Sequence, residues 1–139
     1  MIRNVLVLQS SGQVVVEKTY DEMQPFEQKW IGKFLTAITQ FGQETFNEQA
    51  QEIKFSKLQI LLKRNTNHGN YRYRQSWTIV GITDTADDTA EIKRLLNRIA
   101  EELHYLQNDD LSTNKSPSQQ TIDRIEQVID RFVLSLPNV

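Results

Sequence analysis

The feature that most constrains the fold is a change of apolar period within the first 46 residues. Residues 5–8 form an uninterrupted aliphatic run, residues 10–13 carry turn chemistry, and residues 14–16 are three valines. Two such runs separated by a turn predict a β-hairpin. From residue 26 onward, apolar side chains recur at steps of three and four, which predicts one helix of about twenty residues packed on the hairpin's sheet.

The apolar stripe of this first helix is broad and rich in aromatic residues. Its members are Phe26, Trp30, Phe34, Ala37, Phe41 and Thr45, with Ile31, Leu35 and Ile38 beside them. Because each aromatic ring buries a large apolar area, these aromatic residues are predicted to belong to the core. Gly32 and Gly42 are predicted to mark close approaches of the helix backbone to the sheet.

The rest of the chain predicts three more strands and two more helices. A short strand is predicted at residues 53–55, a longer one at 58–63, and an alternating one at 71–84. Asp88 and Glu91 have capping-box spacing and open the second helix. The order ββαβββαα predicts an α+β fold in which helices flank a five-stranded antiparallel sheet.

A single domain accounts for the chain. Its length of 139 residues is that of one ordinary domain, with a predicted core at 1–107, a polar loop at 108–118 and a C-terminal helix at 119–136. The N-terminal apolar run is too short for a signal peptide, and no stretch approaches the ~20 apolar residues of a membrane span. A cytoplasmic protein is therefore expected.

Composition excludes several classes of function. The chain has no cysteine and two histidines, so disulfides and thiolate metal sites are excluded and little remains for a metal centre. Sixteen basic and eighteen acidic residues give a net charge of −2, which argues against a dedicated nucleic-acid binder. No nucleophile, base or metal pattern is recognisable, so neither an enzyme nor a cofactor is predicted.

Two charged clusters have a structural and a functional interpretation. Arg72 and Arg74 alternate with tyrosines, and together with Lys63 and Arg64 they predict a basic hairpin tip. The favoured interpretation is an exposed hairpin whose charges protect a sheet edge, and the alternative is contact with anionic lipid or an acidic partner. The aspartates around residues 84–88 could suggest a cation site, but acids at a helix start stabilise the helix and are the favoured explanation.

The element order and apolar positions resemble a longin domain. The resemblance covers roughly residues 1–107 and is carried by residues 2–8 with the turn at 11–12, by 34–38, by 53–55 leading into 58–63, and by 77–84. Roadblock domains share the sheet but open with a helix. The strand at the start of this chain therefore favours the longin type.

The resemblance implies a non-enzymatic interaction module that docks a small GTPase or a second longin- or roadblock-type subunit, in a complex for trafficking or GTPase regulation. Longin domains often bind partners between the first helix and the third strand, so the implied contact residues there are Ile53, Lys54, Phe55 and Lys57. Arg72 and Arg74 of the basic hairpin are expected to contact the partner as well and to bias its orientation. A homodimer and peripheral membrane contact are compatible with this function. The alternative is a small-molecule sensor of the PAS or GAF type, which would enclose an apolar cavity between helices and sheet.

Overall fold

One antiparallel sheet of five strands organises the molecule. The computed structural model describes residues 2–9, 12–21, 28–66, 76–105 and 118–136. The strands are β1 (Ile2–Leu8), β2 (Val14–Thr19), β3 (Glu52–Lys54), β4 (Leu58–Thr66) and β5 (Ser76–Asp84), and the helices are α1 (Gln28–Phe46), α2 (Thr89–Tyr105) and α3 (Gln119–Val133). The predicted order ββαβββαα and the α+β class are confirmed. Residues 71–75 of the predicted last strand, which include Arg72 and Arg74, lie outside the described residues, and so do residues 108–117 of the predicted polar loop.

The strand order places β1, with its uninterrupted aliphatic run, inside the sheet between β2 and β5. The order is β2-β1-β5-β4-β3, and every neighbouring pair is antiparallel. Residues 5–7 of β1 are fully buried. A strand that is covered on both faces shows no polar alternation, which explains the uninterrupted aliphatic run in the sequence.

Helices cover the two faces of the sheet unequally. On one face, Leu35 of α1 packs with a small cluster from the strands: Leu6, Leu8, Ile60, Val80 and Ile82. On the other face, α2 and α3 pack together in a larger cluster that includes Val5, Val7, Ile79, Ile99, Leu103, Ile125 and Ile129. The buried residues Ile92, Leu95, Leu96, Ile99 and Leu103 of α2 recur at helical spacing, and so do Ile125, Ile129 and Val133 of α3.

Of the acidic cluster, Asp88 caps a helix, whereas Asp84 at the end of β5 and Asp87 in the following turn do not. Asp88 Oδ1 accepts a hydrogen bond from the Ala90 N–H at 2.9 Å at the start of α2, and Asp87 Oδ2 accepts one from the Asp84 N–H at 3.1 Å. Ser118 caps α3 by accepting from the Thr121 N–H. The last turn differs from the prediction, because α3 ends at Val133 and residues 134–136 form a turn.

The prediction that the aromatic residues of α1 form core is wrong. Trp30, Phe41 and Phe46 are each more than half exposed, and Phe34 is 38% exposed. The side of α1 that meets the sheet carries Leu35, which is buried, and Ile31, which is partly buried. One helix lying on a sheet buries only a narrow stripe, so the second apolar stripe of α1 faces outward.

Two glycines bring α1 against the first hairpin. Gly12 has a φ of +89°, which the turn between β1 and β2 requires. A Cβ on Gly32 would lie 2.6 Å from the Gly12 carbonyl oxygen, so the close approach predicted for Gly32 is made to this turn. Gly42 instead approaches the Glu48 carbonyl, which follows the helix, and the prediction of contact with the sheet is wrong there.

Buried and half-buried polar groups connect α3 and the start of α2 to the sheet. The Gln59 side chain, fully buried in β4, donates to the Asp84 carbonyl at 3.1 Å and accepts from the Thr89 hydroxyl at 3.3 Å. Tyr20 donates to Asp130 of α3 at 2.6 Å. Burial and this hydrogen bond raise the pKa of Tyr20 well above its ordinary value, so the hydroxyl stays protonated.

An ion-pair network ties β1 to the ends of β2 and β5. Arg3 pairs with Asp21 and with Asp84, whose Oδ1 lies 2.7 Å from the Arg3 Nε. Partial burial acts to raise the pKa of Asp84, but the hydrogen bond and the charge of Arg3 outweigh it, and the pKa lies below the ordinary value. Asp84 therefore stabilises the fold when it is ionised.

This network predicts a specific acid sensitivity. The contribution of Asp84 is fully present above the ordinary aspartate pKa of about 3.9 and is lost as the pH falls through the lower pKa of the folded state. Arg3→Gln is expected to flatten the fall in the free energy of unfolding below about pH 4. Urea unfolding of both proteins at a series of pH values measures this, and parallel curves would contradict it.

Candidate interaction surface

The outward side of α1 presents large aromatic groups to solvent. We call Trp30, Phe34 and Phe41 the aromatic face, and their exposed fractions are 59%, 38% and 58%. At 100° per residue, positions 30, 34 and 41 fall within about 40° of one another around the helix axis. A contiguous exposed apolar patch on a folded domain commonly marks a binding surface.

Local contacts order the aromatic face without covering it. The Lys33 ammonium lies 5.4 Å from the centre of the Trp30 ring, and the Phe41 and Phe46 rings meet edge to face at 5.8 Å. Both are favourable arrangements for aromatic rings. These aromatic side chains have few rotatable bonds, so they lose little conformational entropy when a partner covers them.

The short strand β3 supplies a second element of the surface. It is the last strand on its side of the sheet and pairs with β4 through three residues only. The Phe55 N–H donates to the Leu58 carbonyl and the Leu62 N–H to the Gln51 carbonyl. In an antiparallel ladder bonded positions alternate, so the backbone groups of Glu52 and Lys54 point away from β4, where another strand could pair with them.

The residues implied by the resemblance fall into three groups. Ile53 is partly buried and packs on the α1 side of the sheet. Lys54, Phe55 and Lys57 are exposed, and Phe55 has 53% of its surface in solvent. Strand alternation carries Phe55 to the same side of the sheet as Ile53 and α1. Arg72 and Arg74 lie outside the described residues, so their role stays a prediction.

Sequence reasoning missed the aromatic face, although a signal was present. A helix that packs on one side of a sheet needs an apolar stripe roughly 100° wide. In α1 the apolar positions extend over about 140°, from the aromatic face to Leu35. This excess width indicates a helix with two apolar contacts, one to its own sheet and one to something else.

A groove of about 390 Å³ beside α1 bears on the sensor alternative. Leu8, Leu35 and Leu62 line it together with Gln9, Thr36, Thr39, Gln40, Gln43, Glu44 and Arg64. A small-molecule sensor would enclose its ligand in a mostly apolar cavity at this place. This groove is open to solvent along α1 and does not enclose a ligand, so it does not favour that alternative.

Comparison with known proteins gives structural matches only. No protein-family model matches the sequence, and no curated protein matches it. The gliding protein MglB of Thermus thermophilus superposes with a TM-score of 0.53 and 11% identity, over 97% of this chain and 80% of that one. MglB in a tetrameric arrangement gives 0.50 and 12%, over 94% and 79%.

A third match comes from a homology model of the full-length AP-3 complex in a stretched open conformation. Its TM-score is 0.54 at 15% identity, and it covers 97% of this chain and 95% of that one. None of the described helices is long and apolar enough to cross a membrane. The preference for the longin over the roadblock type stays a prediction. The fold of this chain is therefore the one that these MglB and AP-3 complex chains share.

Proposed function

We propose that this chain is a non-enzymatic, cytoplasmic interaction module that docks a small GTPase or a second longin- or roadblock-type subunit. The complex would serve membrane trafficking or GTPase regulation. The exposed aromatic face of α1 is the single observation that carries the proposal. Tryptophan and phenylalanine are enriched where partners meet, and leaving three such residues in water has a free-energy cost that docking would remove.

The edge strand β3 supports the same proposal by a different mechanism. The outward backbone groups of Glu52 and Lys54 can pair with a partner strand, which fixes its direction and register. Phe55 would contribute a further apolar contact on the α1 side of the sheet. Lys54 and Lys57, both exposed, would favour an acidic rim on the partner.

The direct test is a binding panel with the purified chain. Candidate small GTPases, each loaded with GDP or with a non-hydrolysable GTP analogue, and candidate longin- or roadblock-type subunits are passed over the immobilised protein. Genes neighbouring that of this chain are the first source of candidates. Saturable binding to one of them supports the proposal, and absence of binding across the panel counts against it.

Solution mass supplies the second arm of this test. Light scattering at increasing concentration distinguishes a monomer that requires a different partner from a chain that pairs with itself. Self-association that Phe55→Lys weakens would identify a second copy as the partner. A monomer at all concentrations, combined with an empty binding panel, would contradict the proposed function.

A further inference from the structure

A second concave surface, away from the aromatic face, collects positive charge. A groove of about 270 Å³ lies between the end of β4, the segment before β3, and α2. Its polar lining consists of Lys63, Arg64, Lys93, Gln49, Gln51 and Asn97, and we call it the basic groove. The aromatic face and β3 do not contribute to it, so it is independent of the function proposed above.

The basic groove arises from unequal strand lengths. Pairing between β3 and β4 ends at Leu61, and the Leu62 N–H then donates to the Gln51 carbonyl at 2.9 Å. Strand β4 continues to Thr66, so Lys63 and Arg64 lie beyond the end of β3. Alternation places Lys63 on the side of the sheet that faces α2, as it does Leu61, whereas Arg64 shares the α1 side with Leu62 and borders the groove only from the end of β4.

Helix α2 completes the basic groove from above the sheet. Lys93 lies one helical turn before Leu96 and Asn97, and all three residues line it. Leu61 and Leu96, which belong to the larger cluster on the α2 side, also line the groove. Apolar surroundings lower the local dielectric constant and strengthen the attraction of the cations for an anion.

The charge of the basic groove differs in sign from that of the whole chain. Among the described residues, two cations, Lys63 and Lys93, line it on the α2 side and no carboxylate lines it, whereas the chain has a net charge of −2. Glu52 is a nearby acid, with its Oε1 3.6 Å from the Lys93 Nζ. Both side chains of this pair are more than a third exposed, so the ion pair is weak and a stronger anion can displace the glutamate.

We propose that the basic groove binds the phosphate group of a phosphate monoester, in a soluble small molecule or a lipid headgroup. The Lys63 and Lys93 side chains would neutralise the near-dianionic phosphate, and the carboxamide N–H groups of Gln49, Gln51 and Asn97 would donate to its oxygens. The concave shape suits one compact anionic group, whereas an acidic peptide needs a longer track.

The test begins with inorganic pyrophosphate as a soluble probe, titrated into the whole chain by calorimetry. Saturable binding is expected, with affinity about tenfold lower in each of Lys63→Gln and Lys93→Gln. Glu52→Gln is expected to raise the affinity because it removes the competing carboxylate. Arg98→Gln, which removes a charge from the same helix outside the groove, is the matched control and is expected to bind like the wild type.

Vesicles distinguish the two sources of the phosphate. Phosphatidylcholine vesicles with and without phosphatidylinositol 4-phosphate are sedimented with the chain. Retention that requires the phosphoinositide and is lost in Lys93→Gln assigns a lipid headgroup, and pyrophosphate binding alone assigns a soluble ligand. Absence of saturable binding to either probe, equal loss in Arg98→Gln, or binding of an acidic peptide without pyrophosphate binding would overturn the proposal.

Discussion

Replacing Trp30 and Phe41 together with glutamate is expected to weaken partner binding at least about 100-fold while the fold stays intact. Buried aromatic anchors at interfaces commonly contribute about 2 kcal/mol or more each, and every 1.4 kcal/mol corresponds to a factor of about ten in affinity. Both residues are more than half exposed in the free chain, so their replacement leaves no cavity in the core. The measurement is the dissociation constant of the partner found in the binding panel, or of the self-associated chain.

A matched variant separates the loss of aromatic contacts from the added negative charge. Gln40→Glu with Gln43→Glu adds the same two charges to exposed positions of α1 outside the aromatic face. This variant is expected to bind nearly as the wild type does, and circular dichroism with thermal unfolding verifies that both proteins are folded. Unchanged binding by the Trp30/Phe41 variant would show that the partner docks elsewhere.

Gly32→Ala is expected to lower the free energy of unfolding by about 2–3 kcal/mol, although alanine is the better helix former by about 1 kcal/mol. The reason is contact with the first hairpin, because the new Cβ would lie 2.6 Å from the Gly12 carbonyl oxygen. This atom belongs to a backbone turn held at positive φ, so neither partner can easily move. Chemical denaturation measures the change.

Thr45→Ala is the control for helix propensity on the same helix. Thr45 is exposed, so its replacement by alanine is expected to stabilise the protein by a few tenths of a kcal/mol. Opposite signs for the two alanine variants would confirm that α1 rests on the hairpin turn through Gly32. A Gly32→Ala protein as stable as the wild type would contradict the position of α1.

The sequence predicts the fold correctly where a helix has one apolar stripe and that stripe is buried in the core. In α2 the residues at positions 92, 95, 96, 99 and 103 are all buried, as their spacing predicts. In α1 the same reasoning failed, because Trp30 and Leu35 lie on neighbouring apolar stripes and nothing in their spacing says which one meets the sheet. The size of the rings favoured the aromatic stripe as the buried one. In the structure, Gly32 contacts the hairpin turn and Leu35 packs on the sheet.

Of the candidate surfaces, one could be predicted from the sequence and one could not. The residues at 53–55 could be recognised as a short strand, and the edge follows from its position at the end of the order β2-β1-β5-β4-β3. The basic groove could not be predicted, because Lys63 and Lys93 are thirty positions apart and only the packing of α2 on β4 brings them together. Local patterns contain no information on such a distant pairing.

The unequal covering of the two faces of the sheet affects the solubility of the chain when no partner is bound. Two helices cover one side of the sheet and one helix covers the other, so the aromatic face is exposed to solvent until the proposed partner binds. Exposed aromatic rings of this kind also attract one another nonspecifically. We therefore expect the chain to aggregate when it is produced alone and to stay soluble when it is co-expressed with the proposed partner. A higher soluble yield on co-expression would indicate that the chain is a subunit of a complex.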